Sequence, residues 1–281
     1  MNPHQMTTEQ IEAFCTALQI SEHSANTIAK YRRDLTAFYM WLPPEKQVDK
    51  EQVLAYKAEK MQQYATASLN SILCALRSFF KFMEWYECNV KLLKVQKRIF
   101  SAKELELTRA EYNRLVATAE GRGNGRLSLL LQIMASTGIR VSEIQYVTVE
   151  AAKRGKAEIS LKGKVRVIWL PQKLCRKLLK YAKKERIASG PIMRTRQGRA
   201  LNRKEIWVQM KTLCHAAKVE QKKVFPHNLR HLFARIYYAA QRDIVKLADL
   251  LGHSNVETTR IYLRSTGEEH LHSIERLGLI C

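Results

Sequence analysis

PHNLRHLFARIYYAA (226–240) begins the stretch of sequence that decides the fold of this chain, and DIVKLADLLGHSN (243–255) and SNVETTRIYLR (254–264) complete it. The three segments are interpreted as successive helices, and apolar residues of the second recur at helical spacing. His227 and Arg230 are three positions apart, so they share one face of the first helix. The pattern therefore places an imidazole and a guanidinium side by side.

The ends of the next helices position two further side chains. Gly252 is a typical helix stop, and His253 follows it directly. Ser254 and Glu257 have the spacing of a capping box, which predicts a new helix that carries Tyr262. Two imidazoles, a guanidinium and a phenol held by short helices are suited to chemistry on a phosphate group.

The composition of the chain predicts a polyanionic partner. The 281 residues include 48 Lys and Arg against 26 Asp and Glu, a net charge of +22, and the basic residues are spread along the whole sequence. This distribution favours a folded protein that binds nucleic acid through its phosphates over one that is basic for solubility alone. The apolar fraction of 46% is enough for the cores of two ordinary domains.

The chain is expected to be cytoplasmic and to have no membrane partner. It contains no apolar run long enough to span a bilayer, and MNPHQMTTEQ (1–10) lacks the charged-then-apolar order of a signal peptide. Its six cysteines form no C-x-x-C pair and lie mostly in apolar helical segments. They are interpreted as reduced, mostly buried thiols.

Residues 1–89 are predicted to form a small helical bundle, a first domain of the chain. Four amphipathic segments follow one another, and the second has apolar residues on one face and Lys30, Arg32 and Arg33 on the other. We interpret these three cations as DNA contacts. A solvated charged face would have the same pattern.

The run 90–106 is interpreted as a basic linker that leads to a second domain at 107–281. Lys94, Lys97 and Arg98 give this run its charge and are further expected DNA contacts. An extended segment packed on the protein surface is the alternative.

Arg140, in TGIRVSE (137–143), is predicted to lie at the N-terminus of a short helix. The positive end of the helix dipole and the guanidinium together favour an anion at that position. Glu143 lies three residues later on the same face and can orient the guanidinium. Taken alone, Arg140 would be interpreted as an ordinary surface arginine.

Alternating residues in AEISLKGKVRVIWLP (157–171) predict two antiparallel strands joined at Gly163-Lys164 by a type II′ turn. Lys162 then lies at the hairpin tip, from which an ammonium group can reach a bound strand and donate a proton. Lys164 is a further expected DNA contact. A surface lysine is common at such a tip, so the hairpin alone leaves both interpretations open. The apolar side of the second strand is expected to carry Val165, Val167 and Trp169.

The sequence favours neither a metal site nor a nucleotide cofactor. His227 and His231 are four positions apart, but the glutamate of H-E-x-x-H is missing and Arg230 between them would repel a dication. No G-x-x-x-x-G-K-[ST] loop is present, so no ATP-dependent step is expected. We therefore expect an activity that needs no metal and no cofactor.

Together these motifs resemble the catalytic set of the tyrosine recombinases, the family of phage integrases and Xer-like recombinases. In chain order they are TGIRVSE, the Lys162-Gly163 hairpin, H-x-L-R-H at 227–231, LLGH ending at His253, and Tyr262 nine residues later. Each motif is weak alone, and their order and spacing carry the resemblance, which covers most of 108–281. Leu232, where Ser or Thr often follows H-x-L-R-H, departs from the usual pattern, as does the segment YLRSTGEEH (262–270).

The resemblance implies a mainly α fold with a small antiparallel β-sheet. A helical core-binding domain and a mixed α+β catalytic domain would form a C-shaped clamp on DNA. The implied enzyme is a site-specific recombinase that cleaves and rejoins DNA strands through a covalent 3′-phosphotyrosine intermediate and a Holliday junction. The residues that match the family's catalytic motif are Arg140, Lys162, His227, Arg230, His253 and Tyr262, with Glu143 in support.

These residues would have distinct roles in that chemistry. Tyr262 would attack the scissile phosphorus, and His227 would accept its proton. Arg140 and Arg230 would bind the non-bridging oxygens, with a further hydrogen bond from His253. Lys162 would protonate the departing 5′ oxygen as the general acid.

The resemblance also implies specific sites on double-stranded DNA and a homotetramer assembled on them, and it leaves room for an accessory directionality factor. Apolar residues recur at helical spacing near the C-terminus, at Leu271, Ile274, Leu277 and Ile280. A helix over about 266–281 would dock on a neighbouring subunit, as in a closed ring. Packing on its own domain is the alternative.

The net charge and the two-domain plan favour the integrase or transposase of a mobile element. Chromosome-dimer resolution and DNA inversion are alternatives within the family, and a type IB topoisomerase shares the phosphotyrosine chemistry. A DNA-binding regulator with the same fold and no cleavage activity is the non-enzymatic alternative.

Overall fold

The computed structural model describes residues 4–94, 105–161, 164–195 and 197–263, with the backbone alone at 160, 161, 164 and 165. The chain divides by its internal contacts into two units, Met1–Lys97 and Arg98–Cys281. We refer to them as the N-terminal and C-terminal units.

The N-terminal unit is built on four helices, as predicted. They are α1 (Thr8–Ile20), α2 (Ala25–Trp41), α3 (Lys50–Gln63) and α4 (Thr66–Phe82). The side chains of Thr7, Ser24 and Asp49 begin the first three helices by accepting hydrogen bonds from backbone amides three residues later. Aromatic residues dominate the core, in which Phe38 packs edge-on against Tyr56 at 4.9 Å.

A small sheet in this unit was not expected from the sequence. Strand β1 (His4–Gln5) pairs antiparallel with β2 (Gln47–Val48). The interpretation of 1–89 as entirely helical was therefore wrong at these positions, because strands of two residues are too short to show a period. A 3-10 helix, Tyr86–Cys88, follows α4.

The C-terminal unit is mainly helical and contains one hairpin. Its helices are α5 (Arg109–Gly121), α6 (Gly125–Thr137), α7 (Val149–Arg154), α8 (Gln172–Lys184), α9 (Arg203–Lys211), α10 (Pro226–Gln241), α11 (Ile244–Leu251) and α12 (Val256–Arg260). The hairpin consists of β3 (Lys156–Leu161) and β4 (Lys164–Trp169). Helix α6 packs against α5, α8 and α10, which explains why its apolar run continues around the helix. The predicted mainly α fold with a small antiparallel sheet is confirmed.

The hairpin differs from its prediction in register. Leu161 pairs with Lys164, so the connecting residues are 162 and 163, and the turn predicted at Gly163-Lys164 was wrong by one position. The expected apolar face was also wrong, because Ile168 is 3% exposed and Trp169 is 64% exposed. A shift of one residue exchanges the two faces of a strand. Arg166 consequently lies on the same face as the buried Ile168.

Capping boxes begin two α-helices of this unit, whereas the capping box predicted at Ser254 and Glu257 is not formed. Thr108 with Glu111 begins α5, and Asn202 with Glu205 begins α9. Helix α12 begins one residue later than predicted, where the side chain of Asn255 accepts from the amide of Glu257 at 2.8 Å. Asparagine caps helices as well as serine does, so the sequence did not distinguish the two positions.

The cysteines that the structure describes agree with the expected free thiols. Cys15, Cys88, Cys175 and Cys214 are buried, and Cys74 is exposed. Within the described parts of the chain, no helix has the length and apolar character that a membrane crossing requires.

Candidate active site

Arg230 on α10 is one of two deeply buried charged side chains among the described residues of the site, the other being Glu143. Arg230 is 2% exposed. Its Nη1 donates to the carbonyl of Gly138, at the end of α6, and its Nη2 donates to the carbonyl of Leu251 at 2.7 Å. The same Nη2 lies 2.9 Å from Nε2 of His253. The guanidinium is therefore fixed by the ends of two other helices.

His253 is placed by the end of α11. Gly252 has φ 64° and ends the helix in the left-handed conformation, as its sequence position predicted. His253 Nδ1 lies 2.8 Å from Oγ1 of Thr259. Because the guanidinium of Arg230 can only donate, Nε2 of His253 is the acceptor, and the ring proton on Nδ1 is donated to Thr259.

Arg140 and Glu143 form the contact that their spacing predicted. Arg140 immediately precedes the 3-10 helix Val141–Tyr146. Its backbone amide donates to Oε2 of Glu143 at 2.8 Å, and its Nη1 donates to Oε1 at 3.0 Å. Its Nη2 donates to the carbonyl of Gly252 at 3.2 Å. This last bond joins Arg140 to the segment that carries His253.

Tyr262 lies in a 3-10 helix, Ile261–Leu263, directly after α12, and is 7% exposed. The centre of its ring is 4.3 Å from that of His231, 5.4 Å from that of His227 and 5.5 Å from that of His253. Cζ of Arg230 is 6.0 Å from the same ring centre. The structure thus brings together the four side chains of the stretch from 226 to 262 and adds His231.

A cavity of ≈ 720 Å³ is lined by His227 together with two arginines of the site, whereas Tyr262 and His253 are not among its lining residues. Its charged lining consists of Arg140, Arg203, Lys204 and Arg230, and no carboxylate is among the described residues that line it. Trp207 adds an indole ring to the wall and is 47% exposed. The cavity is suited to an anion that also presents an apolar surface.

The arginines and the burial of the site hold its histidines neutral. Burial, together with positive neighbours that include Arg230 in both cases, lowers the pKa of His231 to about 3 and that of His253 to about 4. Burial and the charges of Arg230, Arg203 and Arg140 also lower the pKa of His227. Neutral imidazoles can accept protons at physiological pH.

The guanidinium of Arg230 is affected by the same surroundings. Burial and the nearby charge of Arg140 lower its pKa to about 10, whereas Tyr262 acts in the opposite direction. Arg230 therefore stays charged at neutral pH.

Several of the predicted residues lie outside the described residues or lack described side chains. Lys162, Lys97 and Arg98 are outside, as is most of the predicted linker 90–106. Lys164 is described as the first residue of β4 by its backbone alone. The predicted docking helix at 266–281 is also outside.

The cations predicted on α2 are engaged in ion pairs within the N-terminal unit. Lys30 Nζ lies 2.5 Å from Oδ2 of Asp34, and it also donates to a backbone carbonyl of α4 at 2.9 Å. Arg32 pairs with Glu12 at 2.7 Å, and Arg33, with a side chain 74% exposed, pairs with Asp34 at 3.2 Å. Lys94 is exposed. Arg32, Arg33 and Lys94 are thus exposed, whereas Lys30 is partly buried.

Three residues of the site were missed by the sequence interpretation. His231 was considered only as a metal ligand, although its position one turn after His227 placed it on the same helix face. Arg166 was assigned only to a strand, and its inward direction depends on the register of the hairpin. Thr259 had no local signal, since its role depends on its contact with His253.

The described His, Cys, Asp and Glu side chains include one group that could hold a metal ion. It consists of His4, Glu87 and Cys88 in the N-terminal unit. His4 is hydrogen-bonded to Glu87, and burial raises the pKa of Cys88 to about 11, which opposes formation of a thiolate ligand. His227 and His231 are not part of this group.

Known families and proteins match this chain over most of its length. The sequence model of the phage integrase family matches residues 106–269, and that of the phage integrase N-terminal SAM-like domain matches residues 11–87. Tyrosine recombinase XerA of Pyrococcus horikoshii is 31% identical over 277 residues, covering 96% of this chain and 94% of the relative. Tyrosine recombinase XerA of Pyrococcus furiosus is 28% identical over 289 residues, covering 100% and 98%.

Solved structures show the same fold. A lambda integrase(75-356) dimer bound to a COC′ core site has a TM-score of 0.75 at 17% identity, covering 93% of this chain and 96% of that one. XerH site-specific recombinase bound to palindromic difH substrate has a TM-score of 0.71 at 18% identity, covering 95% and 84%.

The fold and these similarities define a DNA strand transferase of the tyrosine type, an enzyme of site-specific recombination. The chain belongs to the phage integrase family, whose two sequence models together match most of its length. The family resemblance drawn from the sequence motifs is therefore confirmed.

Proposed function

We propose that Tyr262 is the nucleophile that cleaves DNA. Its phenol oxygen would form a bond to the scissile phosphorus while the bond from phosphorus to the 5′ oxygen breaks, leaving a 3′-phosphotyrosine and a free 5′-hydroxyl. The observation that carries this proposal is the position of Tyr262 among His227, His231, His253 and Arg230. A tyrosine in an ordinary apolar core would have no such polar surroundings.

The proton of the phenol needs an acceptor, because a free phenol has a pKa of about 10. His227 is proposed for this role. Burial and three arginines lower its pKa, which keeps its imidazole neutral at physiological pH. It also lines the cavity, where a phosphate group would lie beside it.

The scissile phosphate is proposed to bind between Arg140 and Arg230. Both guanidinium groups line the cavity, and their fork-shaped donors match two non-bridging oxygens. Glu143 supports this arrangement by holding Arg140 at 3.0 Å. His253 would donate a hydrogen bond to the phosphate after its ring proton moves from Nδ1 to Nε2, with Nδ1 then accepting from the hydroxyl of Thr259.

Lys162 is proposed as the general acid that protonates the departing 5′ oxygen. It follows the last residue of β3 directly, in the connection to β4. The phosphotyrosine ester keeps the energy of the broken bond, so a 5′-hydroxyl from a second duplex can reverse the step. Rejoining then needs no ATP or other cofactor.

Duplex DNA with specific sites is the proposed partner. We place the core-binding domain at 1–89, the linker at 90–106 and the catalytic domain at 107–281. The helix proposed at 266–281 would dock on a neighbouring subunit, giving a tetramer. A lambda integrase tetramer bound to a Holliday junction, with a TM-score of 0.74, supports this assembly.

The biological role proposed first is the integrase of a mobile element. The net charge of +22 and the fold shared with the Tn1549 transposon integrase, with a TM-score of 0.72, support it. Chromosome-dimer resolution is the second candidate. It is favoured by the nearly full-length similarity to relatives named XerA, XerC and XerD.

Covalent trapping tests both the chemistry and the role. The wild-type protein and the Tyr262→Phe variant are incubated with sheared DNA of the source organism, and covalent adducts are isolated under denaturing conditions and sequenced. We expect adducts at one or a few sites with the wild-type protein and none with Tyr262→Phe. Tyr237→Phe, a matched change in the same apolar cluster, should form adducts as the wild type does.

The outcomes separate the candidate functions. Fragments from the ends of a repeated or inserted element support the integrase, and a single chromosomal site supports the resolvase. Relaxation of any supercoiled plasmid by a monomer would instead indicate a topoisomerase. A covalent adduct that persists in Tyr262→Phe would overturn the assignment of the nucleophile, and complete absence of adducts with the wild type would favour a regulator.

A further inference from the structure

Three arginines bind the last three carbonyls before His253. Arg166 Nη2 donates to the carbonyl of Leu250 at 2.7 Å, Arg230 to that of Leu251 at 2.7 Å, and Arg140 to that of Gly252 at 3.2 Å. Two of these arginines line the cavity, whereas Arg166 is not among its lining residues. Arg166 thus has the same anchoring contact without access to a bound phosphate.

Arg166 also holds the carboxylate that orients Arg140. Its Nη1 lies 3.0 Å from Oε1 and 2.9 Å from Oε2 of Glu143. Oε1 of the same carboxylate accepts from Arg140 Nη1 at 3.0 Å. Glu143 therefore joins an arginine that faces the cavity to one that does not.

The hairpin register directs Arg166 into this position. Arg166 pairs with Ile159 across the hairpin, and both face the side of the sheet that is buried. The side chain of Arg166 is 13% exposed. It passes closely under Gly252, where an added Cβ would lie 2.5 Å from its Cδ. Its place is therefore fixed by packing as well as by hydrogen bonds.

Burying a second guanidinium beside Arg140 is costly. Burial and the charge of Arg140 lower the pKa of Arg166, and Glu143 only partly compensates. Its Nε has no hydrogen-bond partner among the described residues. A buried cation retained at this cost, in contact with two parts of the site, indicates a role beyond stability.

We propose that Arg166 is a positioning residue that holds Glu143 and the end of α11 in place, so that Arg140 and His253 face the scissile phosphate. This inference rests on the proposed strand cleavage. Arg166 does not touch the phosphate and acts through Arg140 and through the carbonyl of Leu250.

The test compares Arg166→Lys with the wild-type protein on two DNA substrates. One has an ordinary scissile phosphodiester, and the other has a methylphosphonate, which lacks one charged oxygen and therefore depends less on Arg140. We expect Arg166→Lys to slow formation of the covalent adduct about 30-fold on the phosphodiester and about 3-fold on the methylphosphonate, with unchanged DNA binding. Equal slowing on both substrates, or none, would overturn the proposal.

Arg235→Lys is the matched control. Arg235 likewise pairs with one carboxylate, Glu106, and one carbonyl, that of Leu107, and its Nε also has no partner among the described residues. Arg235→Lys should lower the folding stability by a comparable amount. It should not produce a difference between the two substrates in the rate of adduct formation. If the wild-type protein forms no adduct on either substrate, the proposed function is wrong. Equal cleavage by the wild-type protein and Arg166→Lys would instead contradict only the positioning role of Arg166.

A second measurement needs no cleavage. NMR titration of His253 in Arg166→Met should show a pKa raised above about 4, because the end of α11 loses an anchor that keeps the ring buried and a nearby positive charge is removed. An unchanged titration of His253 in a folded Arg166→Met variant would contradict the proposal independently of the enzyme assay.

Discussion

The ring of His231 packs edge-on against the ring of Tyr262, with 4.3 Å between their centres, closer than the ring of His227. Burial lowers the pKa of His231 to about 3, so this contact is made by a neutral imidazole. Protonation of His231 would place its positive charge close to the guanidinium of Arg230. The packing of the proposed nucleophile is therefore linked to pH.

Folding stability should fall as the pH is lowered from 6.5 towards 4. The unfolded chain binds protons at its histidines near pH 6.5, whereas folded His253 and His231 bind them only near pH 4 and pH 3. Because the unfolded state binds more protons in this window, each of the two contributes a loss of up to about 1.4 kcal/mol per pH unit. Urea unfolding at a series of pH values from 7.5 to 5 measures this slope.

His231→Phe should reduce that slope by up to about 1.4 kcal/mol per pH unit, the contribution of one proton. The variant keeps an aromatic ring against Tyr262. A slope equal to that of the wild-type protein would show that His231 binds its proton at the same pH in the folded and unfolded states. The position of His231 would then need another explanation.

Gly138→Ala should destabilise the C-terminal unit more than Gly155→Ala does. Both glycines have positive φ, 62° and 74°, and an alanine in this conformation costs about 1–2 kcal/mol. At Gly138 the added Cβ would also lie 2.5 Å from Cδ1 of Phe233, whereas nothing lies within 4 Å at Gly155. We expect a further loss of about 1–3 kcal/mol for Gly138→Ala in urea unfolding.

The same variant should also slow cleavage, since the carbonyl of Gly138 accepts from Arg230. Adduct formation is compared at a temperature at which both alanine variants are folded. Equal free energies of unfolding for the two variants would contradict the close approach of Phe233 to Gly138.

Lys162→Ala should slow cleavage of an ordinary phosphodiester by about 100-fold or more, because the 5′ oxygen then leaves without a proton. A substrate with sulfur in place of that oxygen has a better leaving group and should lose far less. The measurement is the rate of covalent adduct formation on both substrates. Lys164→Ala, which removes an expected DNA contact two positions away, is the control and should affect both substrates equally. Equal losses on both substrates for Lys162→Ala would argue against the acid role.

Deleting the residues after Gly267 should spare binding to a single DNA site and reduce the joining of two sites by about 10-fold or more, since the proposed docking helix buries its apolar face on a neighbouring subunit. Native gels with one and two labelled sites measure both steps. Ile274→Asp should reproduce the deletion, whereas His272→Gln, on the polar side of that helix, should not. Normal pairing of sites by the deleted protein would show that the tail packs elsewhere.

Much of the site could be predicted because its determinants are local. The spacing of His227 and Arg230, the helix stop at Gly252 and the first turn after Arg140 depend on interactions across three or four residues, which sequence periodicity and capping patterns report directly. The helices of the N-terminal unit were predictable for the same reason, apart from the two-residue strands that leave no pattern.

The sequence by itself thus determined the family, the helical segments and the order of the reactive side chains along the chain. Only the tertiary structure decided that Arg140 binds the carbonyl of Gly252, 112 positions later, and that Arg166 faces the core from β4. These contacts depend on the register of one hairpin and on the packing of helix ends that are distant in sequence. A single-residue shift in a strand reverses its faces, and no local pattern specifies which distant carbonyl a guanidinium will reach.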